Sequence, residues 1–130
     1  MSSSDVTAGT NATATQYNNL RKDSKNGLKN RNSASDAATV TFDLSLTSVQ
    51  SVTLGGNRTL ALSNPTTDQF FVVRLVQDGT GSRTVTWFST IKWPQNAVPT
   101  LTTTASKTDV FGFHCTGSGT YDGFIIGQNL

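Results

Sequence analysis

The sequence predicts an all-β protein in which an antiparallel β-sandwich or jelly-roll-like domain follows an extended N-terminal arm carrying one short helix. The first observation is the composition of the 130 residues, with 22 Thr, 14 Ser and 10 Asn, and with aspartate as all eight acidic residues. Because β-branched and turn-forming residues outnumber strong helix formers, a helical bundle is excluded. The second observation is that apolar and polar residues alternate in short runs after residue 39, which is typical of half-buried strands.

Charge divides the chain into two predicted regions. Residues 1–36 carry five of the ten basic residues against three aspartates, whereas residues 37–130 carry five of each sign. The first region also has too few apolar residues to bury a core of its own. We therefore predict an arm over residues 1–36 and a folded domain over residues 37–130.

Within the arm, the pattern predicts one helix over residues 13–25. Thr13 and Gln16 have the spacing of a capping box, and Asn26-Gly27 supplies a stop signal. An isolated helix of this length is marginal, so it needs a surface on which to dock. The alternative is an arm without regular structure. The residues assigned to arm docking and assembly are Tyr17, Leu20, Arg21, Lys22 and Lys25.

The first half of the domain contains three predicted strand regions. Residues 40–46 alternate between apolar and polar side chains, as in a strand with one wet face. Residues 52–62 are interpreted as a hairpin that turns at residues 55–58. Residues 70–76 are almost continuously apolar, which favours a central strand covered on both faces. Arg74 interrupts this strand, and because a buried unpaired arginine is costly, we expect it to pair with an aspartate or to lie at a subunit interface.

The second half of the domain contains shorter predicted strands. Residues 83–88 and 91–93 fit two of them, and residues 99–104 fit a loop or an edge strand because proline cannot donate to a strand ladder. Residues 109–115 and 121–126 are predicted to pair with each other across a glycine-containing turn. The total of seven to nine short antiparallel strands is typical of a sandwich or jelly roll.

The sequence offers no catalytic or metal-binding constellation, and we expect neither an enzyme nor a cofactor. His114 and Cys115 are adjacent, but neighbours on a strand point to opposite faces, so they cannot form a thiol–imidazole pair. We expect Cys115 in the core. A metal site needs clustered His, Cys or carboxylate side chains, and one His with one Cys does not supply them. A single cysteine also excludes an internal disulfide.

Binding signals are concentrated in the domain. The candidates for an oligomer interface or a glycan contact are Arg74, Trp87, Trp93 and Tyr121. Aromatic side chains stack on sugar rings, with core or intersubunit packing as the alternative. The net charge of +2 and the spread of the basic residues predict no specific nucleic-acid partner, and no apolar run approaches the ~18 residues of a membrane span. A small domain without a disulfide gains stability by self-association, so we expect a homo-oligomer.

Several segments resemble a β-domain that recurs in virion proteins of tailed bacteriophages. They are Asn64-Pro65-Thr66-Thr67, the run over residues 71–87, Ile91-Lys92-Trp93-Pro94, Pro99-Thr100-Leu101-Thr102, Lys107-Thr108-Asp109-Val110-Phe111 and Tyr121-Asp122-Gly123. In the arm, residues 14–21 are similar to a segment of phage tail and fibre proteins. The resemblance implies a trimeric, non-enzymatic structural protein on the outside of a phage particle.

Two functional hypotheses follow. The main one is an outer-surface capsid decoration (cement) protein that docks on capsid or tail subunits through residues 1–36. The alternative is a tail-fibre or receptor-binding tip module that recognises host surface glycans. The N-terminus lacks the basic and apolar segments of a secretion signal. A virion protein that is assembled in the host cytoplasm and released by lysis needs none, so we expect a location on the virion surface.

Overall fold

Strands dominate residues 31–130, which are the residues that the computed structural model of the chain describes. The strands in this range are β1 (Asn32–Ser33), β2 (Thr39–Asp43), β3 (Val49–Leu54), β4 (Arg58–Ser63), β5 (Phe70–Gln77), β6 (Val85–Thr86), β7 (Ile91–Lys92), β8 (Thr108–Gly117) and β9 (Thr120–Gly127). One turn of 3-10 helix, Pro94–Asn96, lies between β7 and β8. Within residues 31–130 no helix is long and apolar enough to cross a membrane.

The predicted arm lies almost entirely outside the described residues. This applies to the predicted helix over residues 13–25 and to the docking residues Tyr17, Leu20, Arg21, Lys22 and Lys25. The last part of the arm is described, and there β1 pairs with β3. The side-chain Nδ2 of Asn32 donates to Oε1 of Gln50 at 2.8 Å, so residues 32–33 contribute to the sheet.

The first six strands alternate between two sheets. β1, β3 and β5 belong to a six-stranded sheet with the order β1-β3-β5-β8-β9-β7, which we call the large sheet, and β2, β4 and β6 form a three-stranded sheet. Neighbours within each series run parallel. Two neighbouring parallel strands need a crossover connection between them. Here each such connection contains a strand of the other sheet. The chain therefore winds through this region in successive coils.

The long C-terminal strands complete the large sheet in the antiparallel sense. β8 pairs with β5 and β9 pairs with β8, while β7 adds a short parallel edge beside β9. The turn between β8 and β9 passes through Gly119 at φ +73°, a conformation that glycine adopts at low cost. The predicted pairing of residues 109–115 with residues 121–126 is confirmed.

One apolar core joins the two sheets. Phe42 of β2 and Leu60 of β4 share a buried cluster with Val73 of β5 and Phe113 of β8. Because side chains alternate along a strand, strands such as β2 and β5 send every second residue into this core. On the large sheet the opposite face is turned away from the core, and we call it the outer face.

The all-β prediction is confirmed, but the antiparallel sandwich or jelly-roll connectivity is wrong for the first six strands. The predicted hairpin over residues 52–62 does not form, because β3 and β4 lie in different sheets. Alternating apolar residues specify which face of a strand is buried and carry no information on the direction of the neighbouring strand. The same pattern of alternating residues is therefore equally compatible with parallel neighbouring strands.

A corner at Gly55 replaces the predicted hairpin turn. The carboxylate of Asp36 accepts hydrogen bonds from the Gly55 N–H at 3.2 Å and from Nε of Arg58 at 2.7 Å. The bond from Arg58 lowers the pKa of Asp36 below its ordinary value. A Cβ on Gly55 would stand 2.6 Å from Oδ2 of Asp36, so glycine lets the carboxylate approach the corner. The chain is thereby directed from one sheet into the other.

Candidate assembly surface

The outer face of the large sheet centres on β5. The burial of this strand alternates, with Phe71, Val73 and Leu75 in the core and the residues between them only partly covered. Phe70, at the start of the strand, is 65% exposed. The predicted central position of this strand is confirmed, but within the described chain only one of its faces is fully covered.

The strand register places further side chains beside those of β5. Val72 lies between Val49 of β3 and Gly112 of β8. Two residues further along β5, Arg74 lies between Ser51 of β3 and Val110 of β8. Directly paired residues point to the same side of a sheet, so the outer face continues across β3, β5 and β8.

Gly112 opens a hollow in this face. A Cβ on Gly112 would stand 3.0 Å from Cδ1 of Ile126 and 3.9 Å from Cδ2 of Phe124, so these two side chains from β9 lie across the glycine. Both are exposed to solvent, Ile126 by 59% and Phe124 by 45%. The hollow measures about 430 Å³ and is lined mainly by apolar side chains, among them Val49, Phe70, Val72, Phe124 and Ile126.

Polar groups border the hollow at one end. The ring of His114 stacks on that of Phe70, with centroids 4.3 Å apart and an interplanar angle of 1°. Nε2 of His114 lies 3.1 Å from Oδ1 of Asp68. Asp122 is paired with His114 in the β8–β9 register and therefore shares its face. Imidazole and carboxylate groups thus form a polar border beside the apolar surface.

Arg74 is the charged residue within the apolar part of the outer face. Its Nε is buried and has no hydrogen-bond partner among residues 31–130. Leaving a buried donor unpaired costs roughly 1–3 kcal/mol, and more for a charged group. That Arg74 pairs with an aspartate or lies at a subunit interface stays a prediction with both alternatives.

The other three predicted contact residues lie on the core side of the sheet. Trp93 and Tyr121 are only 7% and 4% exposed, and burial raises the pKa of Tyr121. Trp87 is partly covered, and its ring meets that of Trp93 edge to face at 5.2 Å. A Cβ on Gly123 would stand 2.8 Å from Trp93, so glycine allows the indole to pack directly on β9. The four candidates therefore do not converge, since Arg74 lies on the opposite face.

Trp87 also forms one wall of a second hollow of about 200 Å³. Threonines and apolar residues line it together, among them Thr84, Val98, Thr100, Leu101 and Thr103. Val98 is 63% exposed. An indole beside hydroxyl groups is the kind of surface on which a sugar ring can stack and form hydrogen bonds.

His114 and Cys115 lie on opposite faces of β8, as the sequence indicates. Cys115 is buried in the core, where its thiol donates to the carbonyl oxygen of Gly117 at 3.3 Å. Among residues 31–130 no three His, Cys or Asp side chains come together as metal ligands.

Sequence reasoning missed most of the outer face. Only Arg74 was selected as a contact residue, whereas Phe70, Phe124 and Ile126 are the exposed apolar members. A signal was available in residues 124–126, where three large apolar residues follow one another in a terminal strand. In a strand with one buried and one solvated face, apolar and polar residues alternate, so three successive residues would include at least one polar residue.

Comparison with known proteins gives a match to a family model. Residues 35–120, about two thirds of the 130 residues, match the family model described as "Putative phage tail fibre C-terminal domain". Searches of curated proteins and of solved structures found no match.

Proposed function

Because the chain belongs to the family of phage tail fibre C-terminal domains and is a phage structural protein, we propose that it forms a non-enzymatic module of a tail fibre. This was the alternative hypothesis from the sequence. The family match favours it over the capsid decoration hypothesis, since the matched residues 35–120 comprise most of the β-domain. The virion is then the location of the protein, and other virion proteins are its partners.

The observation that carries the proposal is the outer face of the large sheet. Around its hollow, exposed apolar side chains of β5 and β9 form a patch of the kind that is typical of a protein–protein contact. Its hollow of about 430 Å³ is bordered by apolar side chains, which stabilise an assembly by burial and offer no group for a reaction. We therefore assign to this domain a role in assembly, as a homo-oligomer and, as the resemblance implies, a trimer.

The arm supplies the second contact in this proposal. It carries the whole net charge of +2, because residues 37–130 are balanced. Single exposed ion pairs contribute less than ~1 kcal/mol, but arms that act together in an oligomer gain ~10²–10⁴-fold in avidity. We propose that residues 1–30 attach the β-domain to neighbouring fibre or tail subunits.

Deletion of residues 2–30 tests the attachment. The deletion ends before β1, since Asn32 is bonded to Gln50 in the sheet. The shortened chain is expected to fold and self-associate like the full chain but to be missing from purified particles of a phage that lacks the wild-type copy. Circular dichroism measures folding, sedimentation velocity measures self-association, and immunoblotting of the particles measures incorporation. Normal incorporation of the shortened chain would contradict the role of the arm.

Recognition of a host glycan is the second candidate function, and the hollow beside Trp87 favours it. Val98→Arg is expected to fill this hollow with a long charged side chain, because Val98 is exposed at its edge. Adsorption of phage to host cells should then fall at least tenfold, while Val98→Ala, which leaves the hollow open, adsorbs normally. Equal adsorption of both variants and of the wild type would remove this candidate.

A further inference from the structure

We infer that Gln77 and Asp109 are positioning residues for the hollow beside Trp87, because their buried side chains hold its two walls in place. The inference deepens the second candidate function, recognition of a host glycan, and rests on it. Neither side chain lines the hollow, and both act through the backbone next to residues that do. A sugar ring would therefore meet a surface that is already formed.

The two walls of the hollow come from separate segments of the chain. Residues 84–87 supply the first wall and include β6, whereas residues 98–103 supply the second wall. The second wall contains neither a helix nor a strand. Because connecting segments of this kind are usually mobile, a rigid hollow requires other bonds that hold the second wall.

Gln77 is hydrogen-bonded to both walls. It is the last residue of β5 and is only 3% exposed. Its Nε2 donates to the carbonyl oxygen of Thr102, in the second wall, and to that of Arg83, the residue before the first wall, at 2.9 Å each. The backbone N–H of Arg83 donates in turn to Oε1 of Gln77 at 3.0 Å. One buried amide thus joins the two walls through its donors and its acceptor.

Asp109 of β8 holds the second wall from another side. Its Oδ2 accepts hydrogen bonds from the backbone N–H of Thr102 at 2.7 Å and from Nε2 of Gln128 at 3.0 Å. The same Nε2 donates to the carbonyl oxygen of Thr100 at 2.8 Å. Burial by itself raises the pKa of Asp109, but its hydrogen bonds outweigh burial and lower the pKa below its ordinary value. Thr102 is therefore fixed at its N–H by Asp109 and at its carbonyl by Gln77.

The fixed position of Thr102 determines what a ligand would meet. Leu101 and Thr103 lie on either side of it and line the hollow, so the apolar side chain and the hydroxyl that face a sugar ring are placed before binding. A loop that must be ordered by its ligand binds more weakly, because its lost freedom is subtracted from the affinity. Loss of the hydrogen bonds to Thr102 should therefore weaken glycan binding although no lining residue has changed.

Gln77→Met tests the positioning, and Gln50→Met is the matched control. Gln50 is also buried, and its Nε2 donates to the carbonyl oxygens of Asp43 and Thr47 at 2.9 and 2.8 Å. Both variants lose buried hydrogen bonds to backbone carbonyls, so both should unfold at a lower temperature than the wild type. Adsorption per particle that contains the chain should fall about tenfold or more for Gln77→Met alone. Normal adsorption of Gln77→Met, or equally poor adsorption of Gln50→Met, would overturn the inference.

A double variant separates positioning from a general structural role. If Gln77 acts through the hollow, Gln77→Met has nothing further to disturb once Val98→Arg has filled it. The double variant should then adsorb like Val98→Arg alone, whereas losses that multiply would overturn the inference. Normal adsorption of Val98→Arg would remove the glycan candidate together with the inference. Reduced adsorption of Val98→Arg beside normal adsorption of Gln77→Met would remove the inference alone.

Hydrogen exchange of the unaltered full chain covers the case in which Gln77→Met does not fold. The backbone N–H groups of Arg83 and Thr102 donate to the buried side chains of Gln77 and Asp109. By NMR, both should exchange about a hundredfold or more slowly than in an unfolded peptide of the same sequence. Exchange of Thr102 at the rate of the unfolded peptide would show that the second wall is not held, and would overturn the inference.

Discussion

At the scale of single residues, glycines show where the backbone needs space. Gly81, in the connection after β5, has φ +76°, and a Cβ there would stand 2.6 Å from the carbonyl oxygen of Thr103. Gly79 lies two residues earlier, and a Cβ on it would meet nothing within 4 Å. The two glycines share one turn but differ in what surrounds them.

This difference gives a prediction with an internal control. Gly81→Ala should destabilise the domain by about 2–4 kcal/mol, because it combines a left-handed backbone with a clash against backbone atoms that cannot turn away. Gly79→Ala should leave the free energy of unfolding unchanged or raise it by up to about 1 kcal/mol. Urea unfolding followed by tryptophan fluorescence measures both. Equal effects of the two substitutions would contradict the geometry of this turn.

Arg74 shows how far a single residue can be interpreted from sequence. An arginine within an apolar strand must have a partner, and this reasoning selected the one charged residue in the apolar part of the outer face. The aromatic candidates were selected by residue type alone, which does not distinguish a surface platform from a core. Trp93 and Tyr121 are buried because neighbouring strands, far apart in sequence, enclose them.

At the scale of elements, the turn from β5 toward β6 is held by Asp78. Its Oδ1 accepts hydrogen bonds from the backbone N–H groups of Thr80 and Gly81, at 3.1 and 3.0 Å. Nη2 of Arg83 donates to Oδ2 at 2.9 Å. The bond from Arg83, and then the bonds from the backbone, lower the pKa of Asp78 from 3.8 to about 2.

The shifted pKa predicts how this turn responds to acid. A carboxyl group whose pKa is lower in the folded chain stabilises the fold above its unfolded pKa, and the contribution is lost as the pH falls through the folded value. The thermal midpoint of the wild type should therefore exceed that of Asp78→Asn at neutral pH. The difference should shrink as the pH falls from 3.8 to about 2. A difference that stays constant over this window would show that the ionised carboxylate does not stabilise the turn.

Strand positions could be predicted better than strand partners. The β8–β9 pair was predictable because its two strands are adjacent in sequence and a short glycine turn fixes their register. The parallel coil of β1 to β6 was not, because its neighbours are separated by a strand of the other sheet. The outer face was missed for the same reason, since Val49, Val72 and Phe124 come together only when the order of the strands is known.

At the scale of the whole molecule, the proposal combines the β-domain of the described residues with the predicted arm, whose sequence carries the surplus charge. In the described residues, apolar side chains fill the core between the sheets, and others remain exposed around the hollow of the outer face. In the proposed fibre module, that face joins copies of the chain to one another, while the arm joins the assembly to the rest of the virion. Deletion of residues 2–30 should therefore affect attachment to the virion and leave the association of the copies with one another unchanged.

The most direct measurement of the central claim is the position of this chain on intact phage particles, read by electron microscopy after gold labelling with antibodies against residues 31–130. The account predicts that the label lies on the tail fibres. Label distributed over the capsid surface would contradict it and would favour the decoration hypothesis instead.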